Sequence, residues 1–263
     1  MDLQTVLAAV SRSNQRYAEL TADCTTLACG CAYTNRALPN LPECNFIGDV
    51  LLSDEVDDPL ALVGEFFTAR GLNCHQWRPA TIQPVEPLAR LIEPHGYRRR
   101  EHLVLAFPPV ALRPLELPDD LRVIAARAMR RAHAALIRAW ASERGAAPDE
   151  LLGRYARLLD EPQYDAFVAL RRGEPAGTAA VFQVGPIGRI CDLYVPPAWR
   201  RTGTGRLLVH YLLQTARRWS LDPVCVELTA DNLPARGLLE QAGFEVAGTI
   251  STFVHEDVAE VVP

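Results

Sequence analysis

Lysine is absent from the 263 residues; all 27 basic side chains are arginine. A GC-rich coding sequence accounts for that bias, and its chemical consequence is to exclude a Walker-type phosphate loop, which requires Gly-Lys-Ser/Thr. No apolar run approaches the roughly 18–20 residues that a membrane span needs. The start, Met1-Asp2-Leu3-Gln4, lacks the basic residues and apolar stretch of a signal peptide, so a cytoplasmic protein is expected. The net charge of -5 leaves no general excess of positive charge, which argues against non-specific nucleic-acid binding. The 20 prolines and 16 glycines show no period, which excludes collagen-like and low-complexity chains. Paired C-x2-C spacing is missing among the seven cysteines. Cys24, Cys29, Cys31 and Cys44 cluster, but Cys29 and Cys31 alternate along a strand-like stretch at 26–33. Free buried thiols are therefore expected, with no metal site.

What remains is an ordinary globular composition, 49% hydrophobic and 22% charged. At roughly 150 residues per domain, the length fits one large domain or two small ones. The proline-punctuated stretch at 108–114 divides the chain into 1–113 and 114–263. Charge does not distinguish these halves: 10 arginines against 13 acids in the first, 17 against 19 in the second.

A faint repeat links them. Leu91-Ile92-Glu93-Pro94-His95-Gly96-Tyr97 reads against Leu238-Leu239-Glu240-Gln241-Ala242-Gly243-Phe244, each closing a helix at glycine before an aromatic-led strand. Upstream, Phe46-Ile47-Gly48-Asp49-Val50-Leu51-Leu52 resembles Arg189-Ile190-Cys191-Asp192-Leu193-Tyr194-Val195. In the second half, apolar spacing predicts a helix over 121–144, whose arginines form a docking surface or a solvated face. Pro148 opens a second helix, with Asp149 and Glu150 at its positive end. Three strands joined by hairpins follow at 166–171, 177–184 and 189–195. A helix over 203–219, a strand over 224–229 and a short helix over 234–242 complete the half.

The segment with chemical content is Val195-Pro196-Pro197-Ala198-Trp199-Arg200-Arg201-Thr202-Gly203-Thr204-Gly205-Arg206. A strand feeds an Arg- and Gly-rich turn that opens a helix. Free amides at a helix start, with the macrodipole, attract an anion, and glycine lets a phosphate approach the backbone. Arg200, Arg201 and Arg206 can add charge-assisted bonds. A polyphosphate is implied, such as the pyrophosphate of a cofactor. A dinucleotide fingerprint fits poorly, because seven residues separate the strand from Gly203 and Leu208 holds the third glycine position.

With Asp192-Leu193-Tyr194-Val195-Pro196 before it, and Arg200-x-x-Gly203-x-Gly205 within it, this segment resembles the acetyl-CoA loop of the GNAT N-acyltransferases. The likeness continues through Asn232-x-x-Ala235-x-x-Leu238-Leu239-Glu240-x-x-Gly243-Phe244 and covers about 164–254. It implies an α/β (α+β) fold, with a mixed, largely antiparallel GNAT-type sheet flanked by helices; with the repeat, two such domains stand in tandem. It also implies backbone contacts from Leu193 and Val195 to the pantetheine arm, amides from Arg201, Thr202, Gly203, Thr204, Gly205 and Arg206 around the pyrophosphate, and Asn232 on the cofactor's arm. The strands 189–195 and 224–229 would splay to receive the thioester. The expected activity is direct transfer of an acetyl group from acetyl-CoA to a primary amine of a small molecule or peptide, by a monomer or homodimer.

One departure stands out. Leu239 occupies the place where family members often carry a tyrosine as general acid. The thiolate then leaves unassisted, or another hydroxyl such as Tyr194 serves, or the protein binds acyl-CoA without catalysis. Asp192 would bind the acceptor amine or relay its proton, or else cap a local network; Glu227 would act as base through water, or lie on a solvated face. Cys191 reads as a core thiol. Ser53-Asp54-Glu55-Val56-Asp57-Asp58-Pro59, in the loop's place in the first half, has four acids and no glycine, so a degenerate half without a CoA site is expected.

Overall fold

The computed structural model describes residues 3–81, 84–110, 112, 118–145 and 147–256. Eleven strands form one mixed, mostly antiparallel sheet flanked by helices. In chain order the first half supplies helix α1 (Leu3–Glu19), strands β1 (Asp23–Leu27), β2 (Gly30–Thr34) and β3 (Phe46–Val50), α2 (Pro59–Thr68), β4 (Gln76–Pro79), α3 (Glu86–Ile92) and β5 (Tyr97–Phe107). The second supplies β6 (Leu121–Ala125), α4 (Arg130–Glu143), α5 (Pro148–Leu158), β7 (Tyr164–Arg171), β8 (Glu174–Val184), β9 (Ile187–Tyr194), α6 (Thr204–Arg218), β10 (Val224–Thr229), α7 (Leu233–Ala242) and β11 (Glu245–His255).

The strand order is β1-β2-β3-β4-β11-β5-β10-β9-β8-β7-β6. Read inward from either end, it presents an antiparallel meander, then one parallel pair (β3 with β4, β9 with β10), then a long central strand. The central strands are exchanged. β11 pairs with β4 of the first half, and β5 pairs with β10 of the second. Between themselves β5 and β11 pair antiparallel, Arg100 with Thr252 and Val104 with Gly248. A shift of 148 residues turns each of these pairs into the other, so a local twofold runs through the middle of the sheet. The boundary at 113–114 lies outside the described residues.

The helix expected over 121–144 is instead a strand, a short 3-10 turn at Ala126–Ala128 and a helix from Arg130. Leu121 and Ile124 suit the helical spacing, but Leu121, Val123 and Ala125 also satisfy a period of two. A strand won because β7 offers Ala169 and Phe167 as partners for Val123 and Ala125. Arg127, expected on a docking or solvated face, instead clamps the carbonyls of Leu159, Glu161 and Tyr164. The stretch at 26–33 is not one strand but a hairpin, β1 turning into β2 at Gly30.

α1 crosses the centre of the sheet. Val6, Ala9 and Val10, spaced along one helical face, are buried against Val104 and Ala106 of β5 and Cys225 of β10. That docking sends the next turns of the helix over the parallel strand pairs of both halves.

Candidate active site

β9 and β10 pair in parallel only at their starts, Gly188 with Val224 and Arg189 with Cys225. Beyond that point they diverge. A bulge opens them further: Asp192 and Leu193 together stand opposite Ala179 of β8, and Asp192 adopts a positive φ of 55°. The splay opens a cavity of about 200 Å³, walled by Ile190–Leu193 of β9 and Val226–Thr229 of β10, with Asn232 and Leu239 at one side. In the first half Asp49 takes the same conformation, φ 50°, yet β3 and β4 resume pairing at Val50 with Pro79 and no comparable splay develops.

At the mouth of the splay, β9 leads through a 3-10 turn at Pro197–Trp199 into α6. Arg201 and Gly203 both hold left-handed backbone, φ 63° and 88°. Left-handed residues in a turn can direct successive amides to one side, a geometry suited to an anion at a helix start. Arg200 donates to the Val195 carbonyl and pairs with Glu143, so it braces the loop. The Thr202 hydroxyl is bonded to the Trp199 carbonyl, 2.6 Å away, and lies 3.0 Å from that of Thr204. Arg201 and Arg206 are exposed and make no hydrogen bond or ion pair among the described residues. Asn232 lines the cavity while its side-chain oxygen caps α7 at the Ala235 amide.

Asp192 accepts three phenolic hydrogen bonds, from Tyr17 at 2.6 Å and from Tyr155 and Tyr164 at 2.8 Å each. Burial, then the neighbouring carboxylate, push all three phenols well above their ordinary pKa. Asp192 is thus a hub that organises three elements. Cys191 beside it stays a thiol, raised by burial and by Asp192. Asp192→Asn keeps the shape and suits the positive φ, but removes the charge that the phenols solvate. We expect it to lower stability by about 2–4 kcal/mol, since hydrogen bonds to charged groups contribute roughly 1.5–3 each and are not additive. Urea unfolding of the variant checks this; an unchanged midpoint would contradict the hub.

Glu227 is the carboxylate that faces the cavity with a different set of partners. Its side chain is only 13% exposed. Asn14 of α1 donates to it at 2.7 Å, His102 Nδ1 of β5 lies 3.3 Å away, and Arg189 lies 3.9 Å away. Burial alone would raise its pKa, but His102, Arg189, Arg78 and the Asn14 amide together bring it below the ordinary value, so it is ionised at neutral pH. His102 also meets Thr252 through Nε2 at 2.9 Å. Burial outweighs the pull of Glu227 and holds its pKa below the ordinary value.

Tyr194 lies elsewhere. Its ring stacks on Trp140, its hydroxyl donates to Glu143 at 3.1 Å, and it does not line the cavity. Burial and that bond raise it to about 12. Leu239 is buried at the cavity wall, with no hydroxyl in its place. Asn14, Tyr17, Arg78 and His102, all from the first half, are site residues that the motif pattern does not mark.

His133 of α4, 3% exposed and edge-on to Tyr155, has its pKa lowered to about 4, chiefly by burial. A depressed histidine binds its proton less readily folded than unfolded. Its contribution is therefore full above about pH 6.5 and is lost as pH falls towards 4. Two to three pKa units correspond to about 3 kcal/mol. We expect stability to fall by that order between pH 7 and 4. His133→Phe should flatten the fall in denaturant titrations at the two pH values.

Residues 129–244 match the family model described as Acetyltransferase (GNAT) family. The chain carries a GNAT acetyltransferase domain. The likeness of fold extends beyond that domain. A GCN5-related N-acetyltransferase from Kribbella flavida superposes with a TM-score of 0.71 at 16% identity over 95% of both chains. A functionally unknown conserved protein from Staphylococcus epidermidis gives 0.70 at 13% identity, over 90% of this chain and 95% of that one. A GNAT-family acetyltransferase from Colwellia psychrerythraea gives 0.54 at 14% identity, over 95% and 97%. At such identities the shared property is the GNAT fold. No curated protein matches the sequence significantly. No helix among the described residues is long and apolar enough to cross a membrane.

Proposed function

We propose that the protein is an N-acyltransferase that passes the acetyl group of acetyl-CoA directly to a primary amine of a small molecule. The observation that carries this reading is the splay between β9 and β10, with an anion-binding turn at one end and an ionised carboxylate, Glu227, in the cavity at the other. The amides of Arg201–Arg206, with the Arg201 and Arg206 guanidiniums, would hold the pyrophosphate. The backbone of Leu193 and Val195 would bond the pantetheine arm, with Asn232 alongside.

The amine nitrogen attacks the thioester carbonyl; a C–N bond forms and the C–S bond breaks. The attacking amine becomes strongly acidic as the new bond forms, so even a carboxylate of depressed pKa accepts its proton. Glu227 takes that role, directly or through water, with Asn14 and His102 fixing its orientation. Asp192 is a positioning residue, holding Tyr17, Tyr155 and Tyr164 around the bulge. The hydroxyls of Tyr17 and Tyr155 are committed to Asp192 and that of Tyr194 to Glu143. The thiolate therefore leaves unassisted, which its ordinary pKa of roughly 8.5 permits. Release of free CoA from acetyl-CoA, measured across a panel of amines, tests the reading. CoA binding with no release for any amine would favour the non-catalytic alternative that Leu239 raises.

We further propose that the two halves are tandem GNAT-like copies, 1–113 and 114–263, the first without a cofactor site. The matched strand order, the exchanged central strands and the positive φ shared by Asp49 and Asp192 support this. Asp58 caps α2 through the Ala61 amide, where a phosphate would otherwise sit.

A further inference from the structure

The cavity between the halves carries more positive charge than its acids can answer. Asp192 is engaged by three phenols, and Glu227 by Asn14, His102 and Arg189. Glu43 stands 3.8 Å from Arg144, whose Nε and Nη2 are buried without a hydrogen-bond partner. Arg78 spends its donors on its neighbour Gln76 and lies over the Phe46 ring. Arg154 of α5 is a further cation of this lining. The residue is 5% exposed and lines the cavity. Its guanidinium is held over the rings of Tyr17 and Tyr155, 5.2 and 5.6 Å from their centroids. Its Nε is buried without a partner, and among the described residues it forms no hydrogen bond or ion pair.

A buried guanidinium without a hydrogen-bonded anion is costly to keep, and Glu43, although near enough to act on its charge, makes no ion pair with it. Its planar fork matches a carboxylate in two-point geometry. At the same time Glu227 offers a negative pole in the same cavity. We propose that the acceptor is a small amino acid, with its carboxylate on Arg154 and its amine directed to Glu227. This deepens the acyltransferase reading and rests on it. At about 200 Å³, the cavity is below the roughly 300–1,000 Å³ of sites for drug-sized ligands, which favours a small acceptor over a peptide. Polycationic acceptors would meet like charge.

The test uses the whole protein saturated with CoA, titrated calorimetrically with free α-amino acids and with the α-carboxamides of the same side chains. CoA release from acetyl-CoA is then measured for the same pairs. At least one free amino acid should bind, and turn over, tenfold or more better than its carboxamide. Arg154→Gln should erase that preference while keeping acetyl-CoA binding, and Arg154→Lys should restore part of it. Equal treatment of the pairs by the wild type would overturn the proposal without recourse to any variant. So would no binding by any member, or a preference that survives Arg154→Gln. A preference for succinyl-CoA over acetyl-CoA, lost in Arg154→Gln, would assign the carboxylate to the acyl donor and also overturn it. Carboxylate-selective binding without CoA release would uphold the chamber and sink acyl transfer. CoA release with both members of each pair alike would do the reverse.

Discussion

Glu227→Gln is expected to lower kcat by about 10²–10⁴-fold, the range that a positioned general base contributes. The amide preserves the volume and can still accept the Asn14 bond, so the cavity should keep its shape. What it loses is the ability to take a proton from the acceptor as the C–N bond forms. Acetyl-CoA affinity should stay within about twofold, because the proposed phosphate site lies at the other end of the splay; a fall in kcat with unchanged cofactor binding marks an interaction made in the transition state. Single-turnover kinetics with calorimetric binding of CoA separates the two effects. A variant with wild-type kcat would remove Glu227 from the chemistry. One whose CoA affinity fell in step with kcat would make it a structural group.

Gly203→Val is expected to weaken CoA binding by roughly 10–100-fold, the equivalent of one or two charge-assisted hydrogen bonds. Gly203 is the N-cap of α6 and sits at φ 88°, a conformation that a β-branched residue adopts only under strain. No atom lies within 4 Å of where its Cβ would stand, so protein packing does not oppose the side chain. The backbone does, and so would a phosphate approaching the turn. Titration of the wild type should give one CoA per chain, the outcome expected of the proposed degenerate first half, with its acidic turn before α2 and its β3–β4 pairing resumed at Val50. Wild-type affinity in Gly203→Val would move the pyrophosphate away from this turn. A stoichiometry near two would give the first half a site of its own.

The second half was largely legible in the sequence. Gly203 and Gly243 punctuate α6 and α7, the hairpin turns at 172–173 and 185–186 separate β7, β8 and β9, and the loop motif lies in the turn that opens α6. Local pattern failed where two periods coincide, as at Leu121–Ala125, and the strand was decided by a partner 42–50 residues away that no window contains. It could not supply the site's other half. Asn14 reaches Glu227 across 213 residues of sequence and Tyr17 reaches Asp192 across 175. Nothing in the composition of α1 says which of its polar residues turns inward. The repeat pointed to a second copy but not to the exchange of central strands, since each copy's own pattern is satisfied whichever sheet its last strand joins.

That exchange governs how the chain must acquire its structure. During synthesis, β4 and β5 emerge long before β11, yet neither has its full set of backbone partners until β11 inserts between them. The first half therefore waits with open strand edges while more than a hundred further residues are made. Pairings so distant in sequence carry a high loop-closure cost and slow the rate-limiting step of folding. An unpaired edge held open for that time is also a template for another chain. Assembly should thus be concerted and late, with Glu227 reaching its neighbours from α1 and β5 only as the final strand locks the sheet.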